Sequence, residues 1–405
     1  MTTVLVSGAG VAGPALAWWL HRRGLVPTVV ERRPALRAGD GGHAVDLFGP
    51  AVEVVARMGL ADAVRDARTR TETLAWVRPG RRPVEVDVEA LSAGVSDRHV
   101  EVLRGDLVSL LVAATRDDVE YVLGDEVTAL TDSGSGVEVT LASGAQRVVD
   151  LVVGADGLHS GVRRLVFGEV PELFLGGYLA VFSLPWEQLG GRALALADVG
   201  RSVALYGVGD GSRARAVLLL RTDRELPVDH RDLAGQRELV REAFGDLGWE
   251  VPRLLRALPE AEDFYLDAIS QVRMDTWSRG RVTLVGDAGY CPGPAVGGGT
   301  SLAVVGAHLL AAAVAGAGRD PAAGLAAYER AMAEPVRQSR RIGPAVLRTL
   351  VPGSRAQARL TPLVLRSLAS LPGPLRRRLT SYGGGPARML DAVVLPASPG
   401  PAVSS

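Results

Sequence analysis

Val4-Leu5-Val6-Ser7-Gly8-Ala9-Gly10-Val11-Ala12-Gly13 lies near the start of the chain, and its reading decides the fold. Residues 3–7 have the length and the apolar, β-branched character of a buried strand. Three glycines follow, and the apolar stretch from Gly13 to Arg23, stopped by Gly24, reads as a helix. A second Val-rich run at 27–31 completes a βαβ unit with a parallel strand on each side. In that setting Gly8 permits the tight turn, and Gly10 lets a pyrophosphate approach the backbone. Gly13 allows close helix–strand packing, with Ala12 beside it in the same turn, and the helix N-terminus offers unpaired N–H groups. Glu31 ends the second strand roughly twenty residues on, where an acid accepts hydrogen bonds from a ribose hydroxyl. Arg32 follows it. The motif points to a dinucleotide without separating FAD from NAD.

Outward from this unit, 405 residues suit two packed domains, and 47% apolar residues supply a sizeable core. Lys plus Arg and Asp plus Glu balance to zero net charge, which predicts neither nucleic acid nor an anionic membrane as partner. Cys291 stands alone, so no intrachain disulfide forms and no oxidising compartment is implied. The N-terminus carries no signal-type stretch, and the run from Leu302 to Ala315, containing Gly306 and His308, is shorter than the about 20 residues a bilayer needs. The expectation is a soluble, cytoplasmic protein, monomer or homodimer, acting on a small molecule. Lysine and asparagine are absent, and isoleucine occurs only at Ile269 and Ile342. A GC-rich genome accounts for that bias, which removes every mechanism requiring a catalytic lysine.

Further strands are predicted near 120–123, 137–141 and 148–154, with a hairpin-like turn at Ser133–Gly136. Residues 176–222 change character: 178–184, 202–208 and 214–221 read as strands without intervening helix, hence an antiparallel sheet. Helices return at 233–244 and around 254–258, then a strand at 281–286 precedes a long apolar helix. Beyond about 322 the pattern is helical and Arg-rich, broken by Gly353, Pro362, Pro372 and Pro374, and residues 383–405 read as a fraying tail. The fold class is α/β: a discontinuous nucleotide-binding domain at 1–170 and 276–345, an inserted antiparallel sheet domain at 171–275, and C-terminal helices with a flexible tail at 346–405.

Two further segments carry chemistry. Asp156-Gly157-Leu158-His159-Ser160-Gly161-Val162-Arg163 follows the buried run Leu151–Gly154, and its acid, hydroxyl and guanidinium suit a polar network that fixes a tight loop. Gly286-Asp287-Ala288 ends a strand and is followed by Pro292, Pro294 and Gly297-Gly298-Gly299 before a helix. Consecutive glycines at a helix N-terminus cluster N–H groups suited to negative charge. Together, in this order, the three motifs resemble the FAD-dependent aromatic monooxygenases typified by para-hydroxybenzoate hydroxylase, over most of residues 1–345.

That resemblance implies a Rossmann-like FAD-binding domain of the glutathione-reductase type holding noncovalent FAD, with NADPH or NADH as reductant and O2 as co-substrate. It places Asp156 near the pyrophosphate, Asp287 on a ribityl hydroxyl, and Pro294, Gly297, Gly298 and Gly299 beside the N1–C2=O edge of the reduced, anionic flavin. Arg104, in the pattern Arg104-x-x-Leu107-x-x-x-Leu111, would reach the ribityl or phosphate region. Departures stand at Tyr290, Gly298, Ser301 and Gly306, where the family commonly has histidine, glutamine, asparagine and aspartate. They imply lost side-chain bonds around an intact backbone cradle. In the family, a flavin C4a-hydroperoxide is attacked by the substrate's own electron-rich ring. The protein excludes water and orients the substrate, which matches the lack of a Ser/His/Asp set, metal-ligand cluster or paired carboxylates here.

The loop Gly41–Leu47 is similar to the glycine-glycine segment of tetracycline-inactivating monooxygenases, which makes His43 and Asp46 the candidate groups for touching the flavin or accepting a phenolic proton. Tyr206 and Arg221 on the inserted sheet are candidates for the substrate face, whereas His21 and His99 read as surface residues and His308 as a helix residue near the core. The implied reaction is hydroxylation of a phenolic or polycyclic aromatic, polyketide-like or tetracycline-like. Baeyer–Villiger insertion, dehydrogenation and a non-oxygenating FAD-binding accessory protein remain open alternatives, and a flavin halogenase is disfavoured by the absence of lysine.

Overall fold

The computed structural model describes residues 1–36, 42–90, 98–187, 189–229, 232–294, 297–318, 320–373, 375–376, 389–390 and 393–397. Gly41, His230 and most of the C-terminal stretch lie outside these residues. A six-stranded sheet runs in the order Ser278–Arg279, Val282–Leu284, Leu151–Gly154, Thr3–Ser7, Val26–Glu31, Glu120–Leu123. All its pairings are parallel except the short first one. Helix Ala12–His21 covers it, ended as predicted before Gly24, whose φ is +77°. The apolar helix Gly299–Gly316 packs between Ala12–His21 and the long helix Pro321–Leu350. Leu5, Val29, Val153, Leu284, Leu16, Trp19 and Val305 all belong to this core, so the most apolar helix of the chain is an interior element.

A seven-stranded sheet forms the second layer, in the order Tyr265–Val272, Glu172–Pro185, Arg213–Arg221, Arg201–Val208, Arg192–Asp198, Thr73–Arg78, Arg81–Asp87. Side chains alternate across it. Phe182, Leu184, Leu205, Ala216 and Leu218 meet Val240, Phe244 and Leu254 of the helices at 233–244 and 251–257 on one face. Leu179, Val181, Leu219 and Ile269 lie on the other, under Leu347 and Val351.

Several expectations need correction. Strands 73–78 and 81–87 join the seven-stranded sheet although they precede the segment assigned to it, because Arg192–Leu196 pairs parallel with Thr73–Val77 across the whole fold. The run 148–154 divides between two sheets: Asp150 accepts bonds from Thr3 N and Oγ1, turning the chain between Gln146–Val149 and Leu151–Gly154. Pro362 sits inside the helix Arg355–Ala369, and Pro335 and Pro344 inside Pro321–Leu350. Within the stretch expected to fray, Met389 and Leu390 are buried, and the carbonyl of Pro396 accepts from Arg57.

Candidate active site

The glycine turn and the middle motif meet at the carboxyl ends of the parallel strands. Gly8, at φ +106°, leaves no room for a side chain: a Cβ there would stand 2.5 Å from the carbonyl oxygen of Ala155. A Cβ on Gly13 would be 1.9 Å from Gly8 O, so turn and helix are in direct backbone contact. A Cβ on Gly10 would meet nothing within 4 Å. Packing therefore explains two of the glycines, and the third faces open space. That space is a cleft of about 240 Å³ lined by Gly8, Gly10, Glu31, Arg32, Arg104 and Asp156, with Arg33, His159 and Arg164 at its edge. Glu31 is aimed by the backbone, accepting from Ala9 N at 2.8 Å and Arg33 N at 3.0 Å.

Around Asp156 the polar groups satisfy one another. Its carboxylate accepts from Ser160 Oγ at 2.5 Å and Val162 N at 3.1 Å, and Ser160 Oγ caps the next helix by accepting from Arg163 N. Burial pushes the Asp156 carboxyl upward against these bonds. Arg163, buried, donates to Ala288 O at 3.0 Å, Leu158 O at 2.6 Å and Glu172 Oε1 at 2.9 Å. The middle motif is thus bolted to the Asp287 turn.

Asp287 differs. Solvent touches it, yet protein surrounds it on nearly every side, so it faces a hollow, and burial pushes its carboxyl upward despite the nearby positive Arg104. Its side-chain hydrogen bond is with Cys291. Gly286 brings this turn against Ala12 and Ala303, with a Cβ placed 3.3 Å from each of their Cβ atoms. Pro294 and Gly297 lie on the turn leading to Gly298, whose φ of +80° starts the helix at Gly299 without a side-chain cap.

The departures from the family pattern compensate. A Cβ on Gly306 would lie 2.2 Å from Tyr290 Oη, so the tyrosine ring fills the space an aspartate at 306 would take. Tyr290 Oη bonds Tyr328 Oη at 2.8 Å, which donates to Leu284 O. Ser301 Oγ donates to Asp46 O at 2.8 Å and accepts from Phe48 N at 3.0 Å, so a side-chain bond expected to be lost is present and pins strand Ala44–Phe48.

On that strand's approach, His43 Nδ1 lies 2.7 Å from Tyr265 Oη, and Ala44 N donates to Tyr206 Oη at 2.8 Å. Burial, the charge of Arg104 and that of Arg215 pull His43 down to about 4 against Asp46. Asp46 turns instead to His99, 2.7 Å away. His99 is therefore no surface residue: burial lowers it, but Asp46 and Glu101 outweigh that and raise it. Tyr206 stands opposite Arg215 in the sheet, whose guanidinium pairs with Asp263. Arg221 is not brought to them. It is exposed at the strand end, beside Gly353.

Residues 1–340 match the family model described as FAD binding domain. A flavin-dependent monooxygenase from Legionella longbeachae serogroup 1 (strain NSW150) is 38% identical over 311 residues, covering 76% of this chain and 79% of its own. The crystal structure of tetracycline destructase Tet(55) aligns with a TM-score of 0.83 at 34% identity, covering 97% of this chain and 98% of that one. The chain belongs to the FAD-dependent aromatic monooxygenases. A variant of Klebsiella pneumoniae HpxO in complex with FAD, at 23% identity and a TM-score of 0.75, shares the fold.

The residues of this monooxygenase fit FAD. Gly10 opens onto the cleft where a side chain would have had room, and Asp287 faces a hollow. Arg104, whose charge acts on Arg33, His43, Tyr265 and Asp287, makes no hydrogen bond or ion pair among the described residues. Gly8–Gly13, Glu31 and Arg32 would hold the adenosine and pyrophosphate end, and Arg104, Asp287 and Gly297–Gly299 the rest. Sequence reasoning missed Tyr265, Arg215 and Asp263. The one available signal was a charge, Arg215, set on the same face as the apolar Val217 and Leu219 of strand Arg213–Arg221.

Proposed function

We propose that this flavin-dependent monooxygenase uses NADPH or NADH and O2 to hydroxylate a phenolic or polycyclic aromatic small molecule, of aromatic polyketide or tetracycline type. The observation that carries the reading is the cluster of His43, Tyr206, Tyr265 and Arg215 between strand Ala44–Phe48 and the seven-stranded sheet. These are polar groups in surroundings otherwise built by Leu179, Val181, Val217 and Leu219. Bound FAD supplies the electron exchange with the nicotinamide cofactor and the activation of oxygen.

The chain's own residues do the rest. Arg215 favours the ionised form of both neighbouring phenols, Tyr206 and Tyr265, although burial holds both well above the ordinary tyrosine value. The same field favours the phenolate of a substrate ring placed beside them, which makes that ring more nucleophilic. His43, neutral at physiological pH, accepts a hydrogen bond from the substrate hydroxyl at a ring nitrogen and so orients it, and Tyr265 fixes its tautomer through Nδ1. The apolar wall excludes water. The likeness to Tet(55), a tetracycline destructase, supports a fused-ring phenolic substrate.

The test is turnover of purified, FAD-loaded protein with candidate phenols. NAD(P)H oxidation should accelerate, with stoichiometric incorporation of one atom from labelled O2. Yellow protein whose NAD(P)H oxidation no aromatic stimulates would overturn the reading in favour of an accessory flavoprotein.

A further inference from the structure

A second concave site lies away from the flavin cleft, between one face of helix Pro321–Leu350 and the segment Arg273–Trp277. Its volume is about 790 Å³, within the ~300–1,000 Å³ typical of small-molecule sites. Arg330, Arg337, Arg340 and Arg341 reach it at helical spacing, and Arg273 faces them. Two acids, Asp275 and Glu329, also line it. Glu329 is already spent, its Oε1 accepting from Thr276 Oγ1 and Trp277 N at 2.7 Å each. Arg337 is held by Glu334.

The remaining guanidinium groups are poorly matched. Arg330 and Arg341 are exposed and make no hydrogen bond or ion pair among the described residues. Arg340 donates to the carbonyls of Val272 and Met274, while its buried Nε has no partner. Arg273 is close enough for its charge to disfavour that of Arg340, and it donates to the neutral Gln271 Oε1 at 3.3 Å. Asp275 is the one lining carboxylate without a hydrogen bond or ion pair among the described residues, and its charge favours that of Arg340. It is outnumbered by the guanidinium groups around it, and like charges left in excess on a concave surface select an anion with several acceptor oxygens. Met274, Trp277 and Val336 add an apolar floor, which suits a ring attached to that anion. The bounded volume and zero net charge of the chain argue for a small ligand over a nucleic-acid strand.

We propose that this arginine-lined cleft binds a nucleoside phosphate, separately from FAD, and that occupancy is communicated to the flavin loop. The connection is short. Gln271, fully buried, takes the bond from Arg273 and donates through Nε2 to Pro292 O and Arg340 O, both at 3.0 Å. Pro292 lies between Asp287 and the glycines at 297–299. Gly343 closes the junction: a Cβ there would lie 2.8 Å from Gln271 Nε2 and 3.0 Å from Pro292 O. An anion that draws Arg273 outward frees Gln271 and so moves the turn beside the flavin.

The probe is ADP, titrated calorimetrically into FAD-loaded protein while flavin fluorescence is followed, with inorganic phosphate and a short oligonucleotide as separate arms. ADP should bind once per FAD-saturated chain without releasing FAD and should change the flavin signal, and phosphate should bind more weakly at the same site. Arg330→Ala/Arg341→Ala, both on the surface and remote from the flavin residues, should weaken ADP roughly tenfold or more while flavin content stays unchanged. Absence of ADP binding at millimolar concentration, or equal binding to the double variant, would overturn the site. Tighter binding of the oligonucleotide would replace the small ligand with a nucleic-acid surface. ADP binding that leaves the flavin signal untouched would overturn the link through Gln271.

Discussion

Two aspartates, one lining the cleft and one opening the short helix Asp287–Tyr290, stand in opposite circumstances. Asp156 is enclosed by donors from its own loop, and its neighbour Arg163 spends its terminal nitrogens on two carbonyls and Glu172. Asp287 faces a hollow across from Arg104, which has no partner among the described residues. A satisfied polar network rigidifies what it touches; an unpartnered guanidinium facing an acid across a hollow is what a ligand completes. The difference separates scaffold from site, and it predicts that substitutions on the two sides fail in different ways.

The largest failure belongs to the contact that joins the two regions. Gly8→Ala puts a Cβ against the Ala155 carbonyl at a φ that disfavours side chains, so the turn and the Asp156 loop must separate. The expected cost is about 3 kcal/mol or more of stability together with loss of flavin, read as a lowered melting temperature and a colourless preparation. Arg163→Ala comes next. It strips donors from two carbonyls and leaves half-buried Glu172 without its partner, for about 2–3 kcal/mol. Its signature is selective: the melting temperature falls, while the FAD dissociation constant of the folded fraction changes little. A large loss of FAD affinity with unchanged melting would reverse the assignment of scaffold and site.

The same contrast governs what the sequence revealed. The glycine turn, the Asp156 loop and the Asp287 turn were legible because each is local: a few residues at fixed spacing whose backbone requirements only glycine or a short acid meets. The substrate-side cluster was not. Tyr206 and Arg215 are partners by strand register, as are Val181 and Tyr265, and no periodicity within one segment announces which distant strand will lie beside it. Arg221 shares its strand with Arg213 and Arg215, and only the pairing, which sets Arg215 opposite Tyr206, shows which of the three charges lies near His43.

Compensation was equally hidden. Tyr290 and Gly306, taken singly, look like losses, whereas the ring of one fills the space left by the other. Gly306→Ala should therefore cost about 1–3 kcal/mol by overpacking, and Tyr290→Phe, which removes the clashing oxygen, should recover much of it in a double-mutant cycle. Additive effects would break the pairing. Arg104→Ala tests the ligand side of the comparison. FAD should bind roughly tenfold more weakly, about 1.4 kcal/mol, with the apoprotein's melting temperature unchanged. Equal loss in apoprotein stability would move Arg104 to the scaffold.

The last contrast is one of slope against pH: two histidines one strand pair apart have environments that push them in opposite directions. His43 is pulled from 6.5 down to about 4, chiefly by burial, so between those values the unfolded chain binds its proton and the folded chain does not. Stability then rises with pH across that window, by at most about 1.4 kcal/mol per pH unit. His99 is raised, burial being outweighed by Asp46, so its contribution is complete below 6.5 and fades as pH climbs through its folded value. Melting curves of the apoprotein against pH should show His43→Gln flattening the limb below 6.5 and His99→Gln flattening the limb above it. If both substitutions altered the same limb, the two rings would share one titration, and the neutral acceptor proposed at position 43 would lose its basis.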